Sequence, residues 1–203
     1  MTYVAEGLPG AGKTTVLAAL ANPGHVMVVR ELLTREPPDA ELAWYLANDA
    51  DKDALARADS TPVVLMDRSY LSTLAYRYAL QQREGGDPYD QALAAVTQRL
   101  AAGTLHVPDG YLYFRHSPAS SLARQSEANA SQWRSEQFLK AVQDFYDYHL
   151  GNELRGLVLH IDATRPLRQV IEQVGEHLST YSLKSGIVGV RNQGPSQWGD
   201  RHE

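Results

Sequence analysis

The sequence predicts an α/β fold of three layers, a five-stranded parallel sheet with helices on both faces. Three observations carry that expectation. Five short apolar runs alternate with helical stripes along most of the 203 residues. The runs are largely apolar throughout rather than alternating, as strands covered on both faces are. The first run leads into a glycine-rich loop and then into a helix, the opening of a strand-loop-helix unit.

Taken in order, Thr2-Tyr3-Val4-Ala5 reads as the first strand and Thr14 to Ala21 as an apolar helix. Between them, Gly7-Leu8-Pro9-Gly10-Ala11-Gly12-Lys13-Thr14, entered from Glu6 and left through Thr15, has the spacing of a phosphate-binding loop. Glycines let the backbone N–H groups come close to a polyphosphate. Lys13 supplies a mobile positive charge for the terminal phosphates, and the Thr14 hydroxyl suits a magnesium ion. The following helix aims its N-terminus at the anion. The loop therefore predicts a nucleoside triphosphate with Mg²⁺, and a P-loop NTPase fold. The plainer reading is a glycine-rich turn before a helix, and the strand-loop-helix context favours the first.

After an Asn22-Pro23-Gly24 turn, His25 to Arg30 forms the second strand, ending at Glu31. Thr34-Arg35-Glu36-Pro37-Pro38-Asp39 is irregular because of its paired prolines, and it follows a strand end, where an open parallel sheet binds ligands. A solvated turn with a surface Arg-Glu pair is the other reading. Asp39 to Ala58 is a polar helix in which Trp44 and Tyr45 either stack on a base or belong to the core. Thr61 to Asp67 is the clearest buried strand, closed by a carboxylate. Asp67 either holds magnesium or helps deprotonate an attacking hydroxyl, or else caps the helix that begins near Ser69. Arg68 either grips a phosphate or carboxylate or forms a surface ion pair.

Leu71, Leu74, Ala75, Tyr78 and Ala79 are a core stripe, broken at Gly85 to Pro88. Leu93, Val96 and Leu100 mark the next helix, which ends near Gly103. Tyr111 to Arg115 is the fourth strand, and Ser117-Pro118 opens a helix. The stretch from Leu122 to Gln132 is polar and poor in large apolar groups, as either a mobile segment or one lying over a site would be. Phe138, Val142, Phe145 and His149 stripe a long helix on which Tyr146, Tyr148 and His149 read as packing residues. Leu157 to Asp162, with a structural His160, is the fifth strand. Leu167, Val170, Ile171, Val174 and Leu178 stripe the last helix. The organisation expected is one domain over 1–178 and a flexible tail over 179–203 without its own core.

Bulk properties narrow the classes. An apolar content of 43% supports a sizeable core, and a net charge of −5 disfavours tracking a polynucleotide backbone. Without cysteine there is no disulfide framework, thiolate metal site or cysteine nucleophile. No apolar run reaches membrane-spanning length and the first strand begins almost at Met1, so the expectation is a soluble cytoplasmic protein without a membrane partner. A homodimer is left open.

Four landmarks together resemble the thymidylate kinase and deoxynucleoside kinase branch of the P-loop kinases, from about Thr2 to Leu178. They are Glu6 to Thr15, Thr34-Arg35-Glu36-Pro37, Asp67-Arg68-Ser69 with Ser72 and Ala75-Tyr76, and the Pro108-Asp109 turn before Tyr111-Leu112-Tyr113 with Ile161-Asp162-Ala163 near the end. The resemblance implies that Asp67 is the acid near magnesium and the acceptor, that Arg35 and Arg68 orient the acceptor, and that Arg124 is a lid arginine. Glu36 and Tyr45 join the acceptor side. Pro38 departs from the family's usual Gly-Gly-Thr continuation, and no arginine sits in the loop at Leu8 or Pro9. Charge closure is then left to Arg124, Arg134, Arg115 or a partner.

The expectation is an ATP-dependent phosphotransferase acting on a nucleoside or nucleoside monophosphate. A non-nucleotide metabolite as acceptor, and a nucleotide-binding regulatory module with little catalysis, are the rival readings.

Overall fold

A computed structural model describes residues 1–37, 40–124, 135–154 and 157–185. Its centre is a parallel sheet of β1 (Thr2–Glu6), β2 (Val26–Val29), β3 (Val63–Asp67), β4 (Gly110–Arg115) and β5 (Val158–Asp162) in the order β2-β3-β1-β4-β5. The connection leaving β1 runs to one side, to β2, and the one leaving β3 runs back past β1 to β4, so a crevice opens at the carboxyl ends of these strands. The register sets Ala5 beside Asp67 and Glu6 beside Tyr113, bringing two carboxylate-bearing strand ends to that crevice.

Successive strand residues face opposite layers, and the core divides accordingly. Val4, Val64, Met66, Tyr111 and Tyr113 face α2 (Leu42–Ala58), α3 (Tyr70–Glu84), α4 (Pro88–Ala101) and α6 (Glu136–Tyr148), where Leu71, Leu74, Val96, Phe138, Val142 and Phe145 are buried. Tyr3, Ala5, Leu65, Leu112 and Phe114 face α1 (Lys13–Leu20) and α7 (Leu167–Ser185), against Val16, Leu17, Val170, Val174 and Leu178. A short α5 (Pro118–Arg124) lies between β4 and α6, and a π-helical turn, His149–Glu153, ends α6.

Several boundaries moved. Ala40 and Glu41 stay outside the second helix, Asp39 lies outside the described residues, and Thr61 and Pro62 precede β3. The last helix runs past Leu178 to Ser185, while 186–203 lies outside the described residues. The polar stretch over Leu122 to Gln132 is described only through Arg124. Tyr146 is buried as expected of a packing residue, but Tyr148 is half exposed because it falls on the outer face of α6. His160 is an exposed residue of β5 whose ring meets Tyr113 edge-on.

Candidate active site

The loop between β1 and α1 is shaped by its glycines. Gly7 has φ +133°, and a Cβ there would run into the Phe114 carbonyl oxygen of β4. At Gly10, φ +72°, a Cβ would come within 2.9 Å of the Arg124 Cβ. Only glycine satisfies both the backbone geometry and the close approach. The helix that follows has no side-chain cap at Gly12. Gly12 has no side chain with which to cap the first N–H groups of α1, an arrangement that suits an anion.

Lys13 is folded back on this loop, its Nζ donating to the Gly7 and Leu8 carbonyls at 2.9 Å each. Burial, reinforced by the Arg68 guanidinium, lowers its pKa to about 7, against the pull of Asp67, Glu31 and Glu6. Thr14 Oγ1 donates to Asp67 Oδ2 at 2.5 Å. Asp67 Oδ1 is buried and, among the described residues, has no hydrogen-bond partner. An orphaned carboxylate oxygen beside a threonine hydroxyl, next to a polyphosphate cradle, fits a hard divalent cation. Among the described residues no group of three or more His, Cys, Asp or Glu converges. A magnesium ion here would rest on Thr14 and Asp67 and complete its shell with phosphate oxygens and water, its usual manner of binding. The cap of α3 is Ser69, whose side chain accepts from the Leu71 N–H, so Asp67 is free of that duty.

Arg68 is buried rather than paired on the surface, and it carries a left-handed φ of +62°. Its Nε lies 2.8 Å from Glu31 Oε1, and Nη1 donates to the Gly7 carbonyl and to Ser72 Oγ at 3.1 Å each. It thus joins the phosphate loop to the end of β2. Beneath it, Glu6 is fully buried and accepts from Ser69 N–H (2.9 Å), Ser69 Oγ (2.7 Å), Ser72 Oγ (2.5 Å) and Tyr146 OH (3.0 Å). Burial pushes its pKa up, opposed by these bonds and by Arg68. Lys52 on α2 supports the same turn, donating to the Asp67 and Arg68 carbonyls at 2.9 and 2.8 Å, and pairs with Asp49 at 3.6 Å.

Beside this cluster opens a cleft of about 600 Å³ between α2 and α3, lined by Glu31, Glu36, Tyr45, Asp49, Arg68, Ser72, Tyr76 and Arg77 among others. Glu36 and Tyr45 are hydrogen-bonded to each other at its rim. Trp44 and Arg35 are absent from the lining; Trp44 meets the Tyr45 ring edge-on and Arg35 is exposed.

On the opposite side of the loop, Arg124 Nη1 donates to the Gly10 carbonyl at 3.2 Å, so α5 brings a guanidinium to the loop. Arg115, a candidate for charge closure in the sequence, is exposed and engaged by Asp147 at 3.2 Å. Arg134 lies outside the described residues.

Sequence reasoning missed Lys52, Asp49, Arg77, the role of Glu6, and His116. His116 is only 5% exposed, and burial beside Arg124 and Lys13 lowers its pKa to about 4, against a backbone hydrogen bond at Pro9. The only sequence signal for it was its place directly after β4, the strand next to β1.

The parallel sheet, the uncapped helix behind a glycine loop and the Thr14-Asp67 pair define a P-loop nucleotide-binding protein. The chain belongs to the AAA domain family, whose model matches residues 2–151. A probable thymidylate kinase of Archaeoglobus fulgidus is 26% identical over 202 residues, covering 89% of this chain and 96% of that protein. Two structures of deoxyadenosine kinase from M. mycoides share the fold. One holds the products dCMP and a flexible dCDP, and the other holds dATP. Each has a TM-score of 0.67 and 16% identity over all of its own chain, covering 89% and 88% of this one respectively.

Proposed function

We propose that the chain is an ATP-dependent kinase that transfers the γ-phosphoryl group of ATP to a hydroxyl of a nucleoside. The observation that carries this reading is the junction of two half-sites. The phosphate loop, Lys13 and Arg124 form a donor side, and the buried Asp67-Arg68 turn joins it to a cleft large enough for a nucleoside. The likeness to nucleotide and deoxynucleoside kinases supports it.

In the transfer, the acceptor oxygen forms a bond to the γ-phosphorus as the bond from that phosphorus to the β–γ bridging oxygen breaks. ADP leaves with the electron pair, and the hydroxyl proton passes to Asp67 or to water. Bound magnesium would neutralise charge on the phosphate oxygens. Lys13 exchanges its carbonyl partners for phosphate, and the loop amides hold the chain of phosphates in line. Asp67 Oδ1 holds whichever oxygen faces it, a water on the cation or the acceptor hydroxyl. Arg124 adds charge where the transition state gathers it.

The lining favours a nucleoside over its monophosphate. Glu31, Glu36, Glu41 and Asp49 face the cleft, and two of its three cations, Arg68 and Lys52, are already paired with Glu31 and Asp49. An acceptor already bearing a phosphate would meet net negative charge.

The test is acceptor-dependent ADP release across nucleosides, nucleoside monophosphates and small alcohol metabolites, with wild-type chain and Asp67→Asn. Nucleoside-dependent release, cut by at least about a hundredfold in the variant, is expected. Release with alcohol metabolites alone would transfer the reading to a metabolite kinase. Slow release indifferent to every acceptor would make the chain a nucleotide-binding module.

A further inference from the structure

The inference concerns the far end of the acceptor cleft and rests on the nucleoside kinase reading above. Helix α3 presents Ser69, Ser72, Thr73, Tyr76, Arg77 and Leu80 to the cleft in sequence along its length. Ser69 stands beside the reaction centre and Arg77 at the distal end, an axial separation of about 12 Å at the rise of an α-helix. That is roughly the span of a nucleoside from its 5′-hydroxyl to the far edge of its base.

The cations of the cleft differ in their engagement. Arg68 is held by Glu31, Gly7 and Ser72, and Lys52 by two carbonyls and Asp49. Arg77 is half-buried, and among the described residues no hydrogen bond or ion pair engages its guanidinium. It lies near enough to the Tyr45 hydroxyl to act on it electrostatically, and that hydroxyl donates to Glu36. Arg77, Tyr45 and Glu36 all line this cleft, so a fork of donors and a fork of acceptors share one lining. Leu42, Tyr76 and Leu80 supply apolar surface for a ring between them.

We propose that this end reads guanine, with Arg77 donating to O6 and N7 and Glu36 accepting from N1–H and the N2 amino group, so that the acceptor is a guanine nucleoside. The chemistry selects this base from the common four. A guanidinium requires two acceptors side by side, which guanine offers at O6 and N7. Adenine sets an amino donor against one arm of the fork. Thymine and cytosine have no ring nitrogen acceptor beside an exocyclic oxygen on that edge together with a two-donor edge for the carboxylate. Tyr45 occupies one oxygen site of Glu36 and fixes the carboxylate at the rim, leaving its remaining lone pairs for the base.

The experiment measures ADP release by the full chain at saturating MgATP with deoxyguanosine, 7-deazadeoxyguanosine, deoxyinosine, deoxyadenosine, thymidine and deoxycytidine. Deoxyguanosine is expected to lead in kcat/KM by about tenfold or more, the scale of a good bidentate contact. Arg77→Met is expected to raise the KM for deoxyguanosine with kcat retained, and to make the 7-deaza analogue its equal. Arg77→Lys keeps the charge without the fork and is expected to lose the same discrimination at an unchanged melting temperature. Glu36→Gln is expected to erase the disadvantage of deoxyinosine, which lacks the N2 amino group. Wild-type preference for another base, or a guanine preference that survives Arg77→Met, would overturn the assignment while leaving the kinase reading intact. No release with any nucleoside would remove the nucleoside reading, and this assignment with it.

Discussion

Lys13 is the residue whose surroundings change most when a triphosphate enters. With only carbonyls to receive it, burial and the neighbouring Arg68 bring its pKa down to about 7. A triphosphate beside the amine favours the charged form and raises that value again. Above pH 7 binding must therefore draw a proton onto Lys13, and ATP affinity is expected to fall as pH climbs from about 7 toward the ordinary lysine range. Calorimetry in two buffers of different ionisation enthalpy at pH 8 should show proton uptake, absent in Lys13→Met. Equal apparent enthalpies in the wild type would contradict it. Arg68 carries a related lesson. Because it bonds the Gly7 carbonyl as well as lining the cleft between α2 and α3, it belongs to both half-sites of the proposed kinase. Its sequence position at a strand end announced an anion-gripping role but not this double attachment.

Among the elements, the β1-loop-α1 unit was legible because its information is local. The spacing from Gly7 to Thr14 and the apolar runs on either side fall within a few residues of one another. Asp67 and Arg68 were legible for the same reason, as charges ending an apolar run. Lys52 and Arg77 were not. Lys52 sits in a polar stretch of α2 and Arg77 interrupts the apolar stripe of α3, so each reads as a solvated charge, and only the packing of the two helices turns them toward the cleft. Arg35 shows the converse: a recognisable tetrapeptide placed it at the acceptor, while its backbone leaves it exposed beside the cleft. The loop makes its own prediction. Gly7→Ala forces a side chain into φ +133° and against the Phe114 carbonyl, at a cost of about 2 kcal/mol or more. Thermal melting should fall by roughly 4–8 °C for a domain of this size. An unchanged melting temperature would mean that the loop backbone is free to rearrange.

For the molecule as a whole, a five-stranded parallel sheet covered on both faces followed from alternating strands and helices, and the structure realises it; the strand order β2-β3-β1-β4-β5 was not read from the sequence. Its stability should nonetheless depend on what the site holds. Helix amides without a side-chain cap, a buried lysine and an orphaned Asp67 oxygen are costs in the empty chain that a triphosphate with its cation removes. At a hundredfold excess over Kd, MgATP is expected to add about 2.7 kcal/mol, or roughly 5–10 °C in melting temperature. Lys13→Ala should lose most of that shift. A wild-type chain whose melting temperature ignores MgATP would remove the loop from nucleotide binding.

Glu6 deserves a last consequence. One carboxylate receives Ser69, Ser72 and Tyr146, from α3 and α6, immediately before the phosphate loop. Replacing any one donor leaves the others around an underserved buried acid, and replacing the acid removes the shared acceptor of three hydroxyls at once. Single steps away from this arrangement are therefore costly in every direction. In descent from a common ancestor, these four positions would be inherited together or exchanged together, as one character rather than four.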